Sequence, residues 1–357
     1  MAQRQANSRA LAWPFLRGEF LCALEETGAV GEGTGWEPLH APDRYCGMPL
    51  YRKWHSMGEY VFDHAWAAGY ERAGLAWFPK LVSAIPFTPV PGPRWSSSCG
   101  DPAAQVRTLL EEEVPRQGAS GWHLLFPDKA AREALRGLPL VERQACHFYW
   151  YNRGYRDFDD FLAALASRKR KNLRRERRRV REQGVEIRRA RGGEIPSWWW
   201  APFYRCYATT YLRRMMRPYL APDFFTRIAA TMGEQLMMVA AFLEDEPLAF
   251  ALYLFDDRQL YGRYWGTFRD LDALHFELCY YQGMEFCMEQ GLEGFDPGVQ
   301  GEHKLLRGFE PRITRSLHWL ADSRMHRALE GFCAEEARMV HDYREEALRH
   351  LPYRRGT

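Results

Sequence analysis

The chain runs twice through one order of secondary structure, and that repetition restricts its fold more than any single motif. Apolar runs at 36–40, 48–54 and 77–87 read as strands, and a Pro/Gly loop follows at 88–94. A helical stretch at 103–113, a strand at 122–126, a short helix at 129–136 and an aromatic strand at 141–151 complete the first half. A long helix predicted over about 157–183 opens the second half, followed by a strand at 185–190 and an aromatic helix at 198–211. Three strand-like runs, 237–243, 248–255 and 260–267, lead to a helix at 271–290 and a short strand near 293–296. A strand at 314–320 and a polar helix at 325–350 end the pattern. The halves share little letter-by-letter similarity. The expectation is therefore an α/β (α+β) chain of two similar units, 1–152 and 153–357, each a mixed sheet flanked by helices.

Composition bounds the class. With 357 residues, 46% hydrophobic and 15% aromatic, the chain has enough apolar surface for two packed cores. Residues 1–10 are polar and basic without an apolar stretch, and the longest apolar runs fall far short of a bilayer span of roughly 20 residues. No transmembrane segment and a cytoplasmic location are expected. The eight cysteines show no C-x-x-C or paired-ligand spacing, which argues against zinc and against a disulfide framework. His303, His318 and His326 are too far apart for a helical metal pair, so no metal is expected.

The segment from Arg168 to Arg181 holds ten Lys/Arg and one Glu, +9 in a chain of net charge +3. Such density suits a polyanion, including RNA, or the solvated side of an amphipathic helix whose apolar stripe is Phe158, Phe161, Leu162, Leu165, Leu173 and Val180. Arg170 and Arg174 are its representative contacts.

The string Pro49-Leu-Tyr-Arg-Lys-Trp-His-Ser-Met-Gly-Glu-Tyr-Val-Phe-Asp63, the Pro-rich segment from Pro79 to Arg94, the basic helix and the motif Gly301-Glu-His-Lys-Leu-Leu-Arg-Gly-Phe309 resemble the FemAB-like family of bacterial N-acyltransferases. The resemblance extends from about Trp13 to His350. It implies tandem GNAT-like units and transfer of an acyl or aminoacyl group to an amine, with a cell-wall precursor as acceptor. It also implies acyl-CoA or aminoacyl-tRNA as donor, with no tightly bound cofactor. The chain departs from a simple acetyltransferase at 266–272, where the glycine-rich loop that cradles the coenzyme A pyrophosphate is missing.

Acyl transfer to nitrogen needs a neutral amine, donors for the developing oxyanion and a proton acceptor. In the Gly-bounded motif, Glu302 or His303 is cast as proton acceptor and Lys304 with Arg307 as clamps on a phosphate or carbonyl; an ion-paired turn is the plain alternative. The resemblance adds weight to Lys304, since a related lysine in FemABX proteins is associated with the transfer site. Glu59 and Asp63 would share a face in either a helix or a strand, and two close carboxylates can raise one pKa into the range of a base. Helix capping or pairing with Arg52 or Lys53 is the competing reading. Lys80 and Arg94 flank the Pro-rich loop as anion-binding candidates. Arg213, Arg214 and Arg217 adjoin the aromatic helix and could hold a flat anionic ligand, although its rings suit core packing at least as well. A non-catalytic protein gripping RNA or an anionic glycan on a degenerate acyltransferase scaffold is the competing function.

Overall fold

The computed structural model describes residues 12–40, 45–96, 99–299 and 301–354. The first half supplies β1 (Trp36–Pro38), β2 (Tyr51–Lys53), β3 (Lys80–Ser83), β4 (Gly121–Leu125) and β5 (Val141–Tyr151). The second supplies β6 (Val185–Arg191), β7 (Leu236–Leu243), β8 (Glu246–Phe255), β9 (Gln259–Thr267), β10 (Gly294–Asp296) and β11 (Glu310–Leu320). Among the described residues these join into one sheet, ordered β1-β2-β3-β4-β11-β5-β10-β9-β8-β7-β6.

A separate sheet in each half was expected, and the single sheet corrects that. The two longest strands, β5 and β11, trade places: β11 pairs with β4 and β5, while β5 pairs with β11 and β10. Each half therefore covers the other's inner edge, which would otherwise present unpaired N–H and C=O groups.

The exchange has a twofold logic. Each half contains one parallel pair, β3 with β4 and β9 with β10, in the same position relative to the exchanged strand. Ala145 faces Thr314 at the centre of the β5–β11 ladder. Five residues further on, Trp150 pairs with Phe295 of β10 and Trp319 with Trp122 of β4. Gly294 and Gly121 occupy matching places beside them, and a Cβ on either would stand 2.6 Å from the Trp150 carbonyl or 2.2 Å from the Trp319 carbonyl. The repeat is thus a repeat of structure, including the same close approach at two unrelated points of sequence.

Apolar alternation assigns the faces. On β8, Phe250, Leu252 and Leu254 enter one core while Ala249, Ala251, Tyr253 and Phe255 enter the other, so a strand buried on both sides reads as a continuous apolar run. The first of these cores spans the halves, uniting Phe15, Trp36, Tyr51 and Phe126 with Phe203, Tyr207, Phe224 and Phe225. The helices Gly18–Glu26, His64–Arg72 and Pro222–Met232 join elements that the sequence pattern did identify.

The predicted helix over 157–183 is two helices, Phe158–Ala164 and Ser167–Glu182. Between them buried Leu165 is extended and bridges Tyr353, and the Ala166 N–H donates to the Pro352 carbonyl, so a pairing with the chain's last residues interrupts the helical ladder. One cysteine also departs from expectation: Cys99 is disulfide-bonded, while Cys22, Cys146, Cys206, Cys279, Cys287 and Cys333 are free.

Candidate active site

The site begins where β9 and β10 part. They pair at only three positions, Gln259–Tyr261 with Gly294–Asp296, after which β10 ends and β9 continues to Thr267. The wedge holds a cavity of about 530 Å³ lined by Gly262–Trp265, by Pro297–Val299 and by His275, Cys279 and Tyr280 of the helical stretch after β9. The matching place in the first half is crossed by a backbone bridge. There the Pro-rich loop returns to pair Gly92 with Pro127, and buried Arg94 fixes it by donating to the carbonyls of Val90, Gly92, Pro93 and Leu125. Arg94, expected as an anion ligand, is a structural clamp whose donors are spent on the backbone.

The Gly-bounded motif closes the wedge. Residues Glu302–Arg307 form a 3₁₀ helix between Gly301 and Gly308, whose positive φ values of 112° and 86° suit glycine. Lys304 and Arg307 stand one 3₁₀ turn apart and are both buried. Lys304 lines the cavity, and its Nζ donates to the Gly298 carbonyl at 2.5 Å. Burial brings its pKa down to about 8, against the upward pull of Asp296 and Cys279. No carboxylate forms an ion pair with Lys304 among the described residues, so its charge remains available to the cavity.

Arg307 turns elsewhere. It binds both oxygens of Glu176 on the basic helix, at 3.1 and 2.7 Å, donates to the His303 carbonyl and lies over the Phe276 ring. It therefore fastens the motif to the helix rather than facing the cavity. His303 lines the cavity with Nε2 2.8 Å from the Tyr280 hydroxyl, and burial together with Arg307 and Lys304 lowers its pKa. Glu302 is exposed, away from the cavity lining, and accepts from the Tyr343 hydroxyl at 2.9 Å.

Sequence reading overlooked several residues at this site. Arg263 of β9 lines the cavity and reaches the Phe87 carbonyl at 3.1 Å with Nη2, while its Nε is buried without a hydrogen bond. A lone arginine in an otherwise apolar strand was the available signal. His275, brought down to about 4 by burial and the surrounding cations, had no comparable mark. Arg214 also lines the cavity; Arg213 pairs with Asp270 and Arg217 is exposed.

A second cavity of about 470 Å³ lies over the β5–β11 centre, lined among others by Tyr60, Phe126, His147, Thr314, Ser316 and Tyr343. Val299 lines both cavities. His147 lines the second cavity, its pKa lowered to about 4 by burial and affected by Asp296, Lys304 and Arg263.

Glu59 and Asp63 do converge, but through Lys80 and in the interior. Lys80 Nζ donates to Glu59 at 2.8 Å, Asp63 at 2.5 Å and Ser56 at 3.0 Å, and Asp63 also accepts from Ser56 and Trp77. Burial raises Glu59, whereas Lys80 and these hydrogen bonds outweigh burial and hold Asp63 low. Lys53, brought down to about 7 by burial, lies 4.0 Å from Glu59. None of the three predicted residues lines either cavity; the cluster cross-links β2, β3 and the loop before the helix His64–Arg72.

The basic helix divides by face. Leu173, Glu176, Arg177 and Val180 point inward at helical spacing, and Arg177 grips Glu277 and Glu285. Arg174 pairs with Asp159, Arg178 with Glu182 and Arg179 with Asp272. Arg168, Lys169, Arg170, Lys171 and Arg175 form no ion pair among the described residues. Among those residues there is also no group of three or more His, Cys, Asp or Glu able to hold a metal ion, and no helix long and apolar enough to cross a membrane.

Comparison with known proteins agrees with this architecture. A family model, FemAB-like, described as peptidoglycan biosynthesis/recognition, matches residues 3–355. No curated protein matches. L-PGS from Bacillus licheniformis is similar in structure at 11% identity and TM-score 0.52, over 87% of this chain and 94% of that one. A conserved protein of unknown function from Bacteroides thetaiotaomicron is similar at 12% identity and TM-score 0.51, over 86% and 91%. FemX is similar at 11% identity and TM-score 0.49, over 90% and 96%. The fold is a single mixed sheet flanked by helices, with the central strands of its two halves exchanged.

Proposed function

The chain belongs to the FemAB-like family, and on that premise we propose that it is an N-acyltransferase carrying an acyl or aminoacyl group from an activated donor to an amine of a cell-wall precursor. The observation that carries the reading is Lys304: a buried ammonium that forms no ion pair among the described residues, lining a strand wedge that shares Val299 with a second cavity. Two neighbouring cavities suit two substrates.

In this reading the donor carbonyl lies in the wedge, where Lys304 stabilises the oxyanion, and Arg263 with Arg214 holds an anionic part of the bound substrate. The acceptor amine enters from the cavity beside His147. Its nitrogen attacks the carbonyl, the N–C bond forms, and the C–S or C–O bond to the donor breaks. His303 takes the proton from nitrogen and returns one to the leaving thiolate or alkoxide. That role uses the tautomer in which Nε2–H donates to the Tyr280 oxygen and leaves Nδ1 as the base. The missing pyrophosphate loop favours an aminoacyl-tRNA ester over acyl-CoA, with the unpaired cations of Ser167–Glu182 meeting the donor's phosphates.

The test is transfer by the purified chain, read by mass spectrometry with acyl-CoA and aminoacyl-tRNA donors and a panel of cell-wall-precursor amines. Lys304→Met should lower kcat/KM by about 10²- to 10³-fold, and His303→Gln by about 10²-fold or more. Because burial lowers the Lys304 pKa to about 8, the fraction bearing the required charge is high below that pH and falls above it. Activity should follow the same alkaline limb, and Lys304→Met should lack that limb in its residual rate. Wild-type rates in Lys304→Met, or no transfer from either donor class, would refute the assignment.

A further inference from the structure

A surface outside the wedge carries an unusual combination of groups. The helix Trp200–Leu212 ends in a tight turn in which the Met215 N–H donates to the Leu212 carbonyl and the Met216 N–H to the Tyr211 carbonyl. Met215 has a φ of 56° and is 96% exposed; Leu212, Met216 and Phe268 are 60%, 37% and 39% exposed. Leaving four large apolar side chains in water is unfavourable, and a fully exposed methionine at a turn tip gains nothing from the fold.

The apolar groups are set among cations. Arg205 lies over the Phe268 ring at 5.3 Å, and Arg213 reaches Asp270 at 3.2 Å, so the turn and the loop after β9 form one patch. Arg205, Arg213, Arg214, Arg217 and Arg269 are all exposed there, and Asp270 is the sole acid in 205–217 and 268–270. Arg214 also lines the wedge cavity, so the patch adjoins it.

We propose that this patch seats the protein on the surface of an anionic phospholipid bilayer, with Leu212, Met215, Met216 and Phe268 entering the interfacial region and the arginines meeting lipid phosphates. Nucleic acid would satisfy the arginines but leave the apolar tip in water, whereas a bilayer interface satisfies both. The inference goes beyond the transfer reading and stands without it.

The experiment is co-sedimentation of the full chain with vesicles of phosphatidylcholine alone and of equal parts phosphatidylcholine and phosphatidylglycerol, at low and high salt. Binding should require phosphatidylglycerol and weaken with salt. Met215→Ser with Met216→Ser should weaken it about tenfold or more without moving the thermal melt, because neither side chain is in the core. Arg217→Gln and Arg269→Gln should each weaken it about fivefold. The proposal is overturned if the methionine pair can be replaced without effect, if phosphatidylcholine vesicles bind equally well, or if those replacements abolish binding to RNA or dissociate a dimer while vesicle binding stays intact.

Discussion

Two buried lysines carry the same charge into the interior with opposite consequences. Lys80 is enclosed by Glu59, Asp63 and Ser56, so its charge is fully used in joining neighbouring segments. Lys304 has a carbonyl contact and a cavity. Replacing Lys80 by Met strands two carboxylates in the interior and should cost about 3–5 kcal/mol, measured by urea denaturation. Lys304→Met removes a buried charge without orphaning an acid and should leave stability within about 1 kcal/mol of wild type or raise it. Equal losses in both variants would contradict this division. Composition and motif spacing made all four predicted residues of the Glu302–Arg307 turn visible, yet could not distinguish Lys304, which lines the wedge, from Arg307, which turns to Glu176. That distinction depends on which partners the chain brings near each side chain.

The helix Ser167–Glu182 shows the same limit at the scale of an element. Its existence and its Leu173 and Val180 stripe were legible from periodicity, but its start was not, because Leu165 is drawn into a bridge with Tyr353 far along the chain. A run of arginines also looks uniform in sequence. The structure separates Arg177, bonded to two glutamates, from Lys171, which forms no ion pair among the described residues. Arg177→Gln should destabilise the fold by about 3 kcal/mol, because Glu277 is buried and loses its cation. Lys171→Gln should change stability by less than about 0.5 kcal/mol. Paired thermal melts check the contrast, and a large loss at Lys171 would mean that its charge has a structural partner.

For the whole molecule, strand exchange makes the halves interdependent. Residues 1–152 alone would lack β11, leaving β4 and β5 without the strand between them; residues 153–357 alone would lack β5, leaving β10 and β11 in the same condition. The core that unites Phe15 and Trp36 with Phe203 and Phe224 would also be divided. Each fragment expressed alone should be aggregated or unfolded, whereas the two expressed together should assemble into a soluble complex. Amide hydrogen exchange on β5 and β11 reads this directly. Two stable, independently folded fragments would rule it out.

What the sequence determined by itself was local and periodic: strands and helices from apolar spacing, a doubled order of elements, a charged helix and a glycine-bounded turn. These follow from the identities of near neighbours, which set backbone preference and the face a segment buries. Tertiary structure decided which strand lies beside which, why Arg94 is spent on backbone carbonyls while Lys304 faces a cavity, and which of several similar cations does so. Those outcomes depend on pairings between distant residues, Ala145 with Thr314 and Glu176 with Arg307 among them, whose energies exist only once the chain has closed the loops between them.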